Sequence, residues 1–204
     1  MATAIYVAAL LPNAVVGMPM PPIFITRLIA SLSVFVAAPA LVWMVVLIGR
    51  GRPSKRILSR MALFAAVAFA TMATLNRVVQ LAILTELGGY IDARFDLYTP
   101  SSPANFIEMF AWDLCLGIAA VAVSRLLSEP TETWASRMFA GAGLLMLLGE
   151  LLYVMTLLKV GGSTIGLAGM GVSVVAWVLG LPAAALCVVI ATRPTRASAR
   201  TSPG

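Results

Sequence analysis

The chain has 204 residues, 61% of them hydrophobic and only 11% charged, with a formal net charge of +6 and no histidine. Soluble domains run at roughly 25% charged residues, so a soluble globular domain is excluded. The absence of histidine removes His-ligated haem, His-based zinc sites and Ser-His or Cys-His nucleophile pairs.

The first 26 residues are uncharged and apolar but broken by Pro12, Pro19, Pro21 and Pro22. A helix from Thr3 to Met18 is about 24 Å long, short of a bilayer core of about 30 Å. No basic stretch precedes it, as a cleaved signal peptide requires. A short sixth helix and an interfacial segment both remain open readings here.

From Arg27 the pattern clears. Leu28–Ile48 is long enough to span, and Gly49 ends it. Arg50, Arg52, Lys55, Arg56 and Arg60 follow in one short loop, the strongest orientation signal in the chain, which assigns that loop to the cytoplasm. Met61–Leu84 then runs outward into a loop holding Glu86, Asp92, Arg94 and Asp96. Ser102 before Pro103 is a helix start, a hydroxyl to cap followed by a residue with no amide hydrogen to satisfy. Asn105–Leu127 returns, Met138–Leu158 goes out, and Ile165–Thr192 comes back. The tail 193–204 carries Arg193, Arg196 and Arg200 among Pro, Ser and Thr, and is expected to be disordered and cytoplasmic.

The reading is an all-α transmembrane helix bundle of five spans, with the short N-terminal sixth left open. Residues 27–192 form one bundle, with the apolar segment 1–26 before it and the basic tail after it. Small residues at helix-packing spacing, Ala62, Ala66, Ala70 and Thr74, and Gly162 with Gly166, let backbones approach closely in lipid. Cys115 and Cys187 lie in apolar helices without a Cys-x-x-Cys motif, so they are expected as packing residues. The basic residues sit mostly between or after apolar runs, where they set topology and attract anionic head groups; no nucleic-acid partner follows from them.

Within the spans, ionisable groups are costly and mark functional candidates. Arg77 sits in the second span with Asn76 and Gln80, the third carries Glu108, Trp112 and Asp113, and the fourth carries Glu150. At a rise of about 1.5 Å per residue, Arg77 and Asp113 lie about 12 Å inside the outer ends of their runs and Glu150 about 13 Å. Three charges on three helices therefore share one layer. Asn76 and Gln80 share a face, with Arg77 near Gln80, and Glu108 shares one with Trp112; Asp113 is turned from Glu108 by about 140°. The expectation is an Arg77–Asp113 pair, with Glu108 reaching Gln80 or water and Glu150 left without a neutralising charge.

Two uses fit that layer. One is a polar site in the outer half of the bundle for a proton, cation or small polar ligand, as in a small transporter, a ligand-binding subunit or an accessory subunit with a partner in the membrane. The other is a structural or partner-binding protein whose buried charges only fix helix packing. An intramembrane enzyme using two acids is a third class, but no Gly-x-Ser-x-Gly elbow, Gly-x-Gly-Asp stretch or phosphate-cradling loop occurs. No cofactor is expected. Lys55 and Lys159 lie in or beside loops, so a retinal-type Schiff base in mid-helix is excluded too.

The runs Asn76-Arg77-Val78-Val79-Gln80-Leu81, Asp96-Leu97-Tyr98 and Glu108-Met109-Phe110-Ala111-Trp112 resemble those of a family of bacterial multi-pass integral membrane proteins of unknown function. In that family a helix ending in a Gln-Leu motif precedes a polar loop and a helix opening on a Glu-aromatic or Glu-Gly pattern. The resemblance covers roughly residues 27–127 and implies the topology, with no activity attached. Asp113 departs from it, standing where that family has an apolar residue or glycine, so a pair made by Asp113 is peculiar to this chain.

Overall fold

In hydrocarbon a backbone must satisfy its own hydrogen bonds, and an apolar chain does so by closing helices. The computed structural model describes residues 23–86, 102–160 and 163–191, and among them the regular structure is helical, with no strand. Helix α1 is Ile23–Arg50, α2 is Arg56–Glu86, α3 runs over Pro103–Leu126, α4 is Thr133–Leu157 and α5 covers 163–191. Among the described residues five helices are long and apolar enough to cross a membrane, and the fold is an all-α helical membrane bundle. The segment 1–22, most of the loop between α2 and α3, Gly162 and the tail 193–204 lie outside the described residues, and with them the open N-terminal helix and the expected disordered tail.

Several helices begin earlier than their apolar runs. α2 starts at Arg56 and not at Met61, and α4 at Thr133 and not at Met138. An apolar run marks the hydrocarbon, whereas helical hydrogen bonding continues into the interface, where long side chains keep their charged heads in water. Trp43 under the Arg50 guanidinium and Trp134 under that of Arg137 mark that zone at the basic end, at 5.9 Å and 5.7 Å. Such aromatic and basic anchors sit at membrane interfaces.

α2 packs against α1 and α3, and α4 packs between α3 and α5, which makes α4 the pivot of the second half. Large apolar side chains on every helix point outward, among them Val36, Phe64, Leu75, Leu144 and Leu167. Inside are alanines and glycines, as close packing without a hydrophobic drive between helices requires. The buried line on α2 reads Ala62, Ala66, Phe69, Ala73, Asn76, Gln80. It leaves the expected stripe after Ala66: Ala70 and Thr74 are only half-buried. Steps of four drift around a helix, and alternating steps of three and four hold a contact line against a neighbour.

The α4 contacts are backbone on backbone. A methyl added at Gly143 would lie 2.8 Å from the Gly117 carbonyl of α3, and one added at Gly169 would lie 2.9 Å from the Gly149 carbonyl. Gly166 stands instead against the Thr156 side chain, where an added methyl would lie 2.9 Å from Oγ1. Two apolar clusters fill the basic half and the middle of the bundle; the middle one contains Val34, Ala38, Phe69, Ala73, Ala111, Met146 and Ala176. Directly beyond it, toward the ends opposite the basic half, lies the polar layer.

Two π-turns interrupt the helices at the level of that middle cluster. One occupies Phe110–Cys115 in α3 and the other Ala176–Gly180 in α5. π-turns inside α-helices are rare and tend to fall at functional sites. They re-aim every side chain beyond them, which matters for Trp112, Asp113 and Trp177.

Candidate functional site

The polar layer divides into two sets of contacts. The first is built on Glu108, one turn into α3. Ser102 caps that helix, accepting from the Asn105 amide at 2.9 Å. Glu108 Oε1 forms an ion pair with Arg77 Nη2 and accepts from Trp112 Nε1 at 3.0 Å; Oε2 accepts from Asn76 Nδ2 at 2.9 Å. Asn76 Nδ2 also donates to the Ala104 carbonyl at 3.0 Å. Arg77 and Glu108 are only 6% and 7% exposed. A carboxylate with a guanidinium, an amide and an indole around it is the form in which a buried charge is tolerated. Gln80 is buried one turn farther along the same face of α2. The Tyr153 hydroxyl of α4 donates to Asn105 Oδ1 at 2.9 Å, tying the third helix in.

The expected Arg77–Asp113 pair does not form, and Glu108, expected to reach Gln80 or water, is the partner instead. Height alone does not fix partners. Glu108 lies one turn nearer the start of α3 than Asp113, and the guanidinium reaches it along the α2–α3 face. Asp113 is inside the π-turn and faces the other way, toward α4 and α5.

The second set is built on Asp113, which is fully buried. Its Oδ2 accepts from the Ser173 hydroxyl of α5 at 2.8 Å. Trp177, one turn on from Ser173, stands beside the same carboxyl. Asp113 Oδ1 and Trp177 Nε1 nonetheless lack partners in good hydrogen-bond geometry. Glu150 of α4 is 7% exposed, lies within electrostatic reach of Asp113, Cys115 and Tyr153, and keeps its Oε2 without a partner. The expectation that Glu150 lacks a neutralising charge holds among the described residues, and it extends to Asp113.

Trp112 joins the two sets. Its ring meets Phe69 edge-on at 4.9 Å and Trp177 at 5.2 Å, while its N–H bonds Glu108. The two π-turns thus bring their tryptophans into contact at the seam between the charged knot and the pair of acids.

Ser173, Trp177, Tyr153 and Asn105 are the contributors that charge alone does not flag. A signal for two of them does exist: Ser173 and Trp177 are four apart in the last apolar run, hence on one face. The glycines complete the arrangement. A methyl at Gly149 would lie 1.9 Å from Ser173 Oγ, so only glycine lets α5 bring that hydroxyl past α4 to Asp113.

Among the described residues no group of three or more His, Cys, Asp or Glu side chains is placed to hold a metal ion. Compared with family models, curated proteins and solved structures, the chain matches none.

Proposed function

We propose that this chain is a small transporter, or a ligand-binding or accessory subunit, of a bacterial cell membrane, with its C-terminal tail in the cytoplasm and a polar site in the outer half of the bundle. The orientation rests on the basic residues at and beside the α1–α2 turn, Arg50, Arg52, Lys55, Arg56 and Arg60, since such connections stay in the cytoplasm. The bacterial setting rests on the resemblance described above.

One observation carries the functional part. Asp113 and Glu150 come from different helices, lie within electrostatic reach of one another, and each keeps a buried oxygen without a partner. Charges that serve only to fix helix packing are neutralised, as Arg77 and Glu108 are. Two acids with no cation beside them among the described residues cost stability in hydrocarbon, and intramembrane ionisable groups of this kind mark ion pathways, proton relays and ligand sites.

Purification of the full chain in mild detergent, with mass analysis of what comes along, tests this reading. A small species or partner subunit that accompanies wild type and is lost from a folded Asp113→Asn/Glu150→Gln variant is the expected result. The second reading, a structural or partner-binding protein, is favoured by the closed Arg77–Glu108 knot. It wins if wild type carries nothing and its melting temperature ignores added salts, small polar solutes and pH.

A further inference from the structure

Resting on that reading, we infer that the occupant of the Asp113–Glu150 pair is a proton, taken up by one carboxyl of the two and exchanged through Glu150, and not a metal cation. The groups facing the pair decide between these. A bound cation needs several oxygen acceptors around it. Asp113 instead meets two donors from α5, the Ser173 hydroxyl and the Trp177 indole beside it. From α4 it meets Glu150, with the Tyr153 hydroxyl one turn farther out and already given to Asn105. On its own helix stand Cys115, and Glu108, which is committed to Arg77 of α2.

Space gives the same answer. α4 and α5 touch through their backbones here, with no room for one methyl at Gly149 or Gly169. A metal ion with its ligand shell needs the helices to part; a proton needs only a lone pair, and Asp113 Oδ1 has one that is buried and unused. Two carboxylates within electrostatic reach in hydrocarbon do not both stay ionised without a counter-charge. The chemistry is one O–H bond made or broken: a carboxylate takes up a proton and becomes the neutral acid, and release reverses it. Glu150 is the member of the pair with residual exposure, whereas Asp113 has none, so exchange passes through Glu150.

The test is infrared spectroscopy of the purified full chain across a pH series, read together with tryptophan emission, since Trp177 sits beside Asp113. A protonated-carboxyl band should be present at neutral pH and be lost in Asp113→Asn and in Glu150→Gln. Tryptophan emission should titrate with the same midpoint, and replacing sodium or potassium chloride by choline chloride at fixed pH should leave both signals unchanged. Ser173→Ala, which keeps both acids and removes the hydroxyl bonded to Oδ2, should retain the band and shift its frequency. An unshifted band in Ser173→Ala, or one that survives Asp113→Asn, overturns the assignment to this pair. No band at neutral pH with an emission change specific to sodium or potassium overturns the proton and leaves the proposed ion site standing. A chain that answers to neither pH nor cation overturns both.

Discussion

Glu108 and Asp113 are carboxylates on one helix, both buried, and their surroundings differ in almost every respect. Glu108 is met by a guanidinium and an amide from α2 and by the indole of Trp112 one turn along its own helix. Asp113 is met by one hydroxyl, an indole short of full hydrogen-bond geometry, and another acid. The π-turn that begins at Phe110 separates the two environments, turning one carboxyl to α2 and the next toward α4 and α5. In hydrocarbon the consequence of a charge is therefore set by which helix face it meets and much less by its depth. The knot is neutralised by its own cation; among the described residues the pair of acids has none.

The widest separation between the two regions comes from Arg77→Gln. Removing one partner of a buried pair leaves the other charge uncompensated, at about 3–5 kcal/mol. Folded, monodisperse protein recovered in detergent should fall steeply. Adding Glu108→Gln should restore much of it, and adding Asp113→Asn should not. Rescue by the Asp113 change in place of the Glu108 change would reverse the assignment of partners.

Gly149→Ala comes next. Its methyl would fall on Ser173 Oγ, 1.9 Å away, and on the Gly169 carbonyl. Overpacking of this kind costs about 1–3 kcal/mol. The melting temperature should drop, and Ser173→Ala in the same chain should recover part of the loss by removing the nearer obstacle. No recovery would mean that the α4–α5 contact is governed by the backbone clash alone.

Asp113→Asn should have a far smaller effect than Arg77→Gln. The Ser173 hydroxyl still finds a carbonyl oxygen, and an amide carries no charge to desolvate. Exchanging one buried neutral hydrogen bond for another stays within about 1 kcal/mol. A melting temperature equal to or above that of wild type is expected. A collapse as large as that of Arg77→Gln would show that Asp113 is held as a charge by a partner, and the contrast between the regions would fail.

The fold was largely legible because one physical quantity governs it: apolar runs longer than the bilayer is thick. The residues of the polar layer were legible for the same reason, since each ionisable group in such a run carries a transfer penalty that singles it out. Their pairing was not. Rise per residue gives height alone, and partners depend on azimuth. The 100° per residue of an α-helix does not hold through Phe110–Cys115, and nothing in Phe-Ala-Trp-Asp-Leu-Cys announces a π-turn. The role of α4 as pivot was hidden as well, because Gly143 and Gly149 carry meaning only once Gly117, Gly169 and Ser173 are seen opposite them.

A third charged contact, at the basic end, sets the lower limit of the scale. Arg52 forms an ion pair with Glu132 and donates to the Ile48 carbonyl at 2.9 Å, joining the α1–α2 turn to the α3–α4 turn. Lys55 reinforces the clasp by donating to the Arg125 carbonyl at 2.7 Å. The chemistry resembles that of Arg77 and Glu108, yet this pair lies at the level of the interfacial tryptophans, where water and salt compete with it. Pairs of that kind are worth about 0.2–1 kcal/mol. Arg52→Gln should therefore lower the melting temperature only slightly, and by less at high ionic strength, where wild type has already lost most of the interaction. The loss on Arg77→Gln should not respond to salt, because no solvent screens the knot. If both losses faded alike with added salt, the knot would have to be open to water, and the division between a dry buried ion pair and a screened interfacial one would no longer describe the molecule.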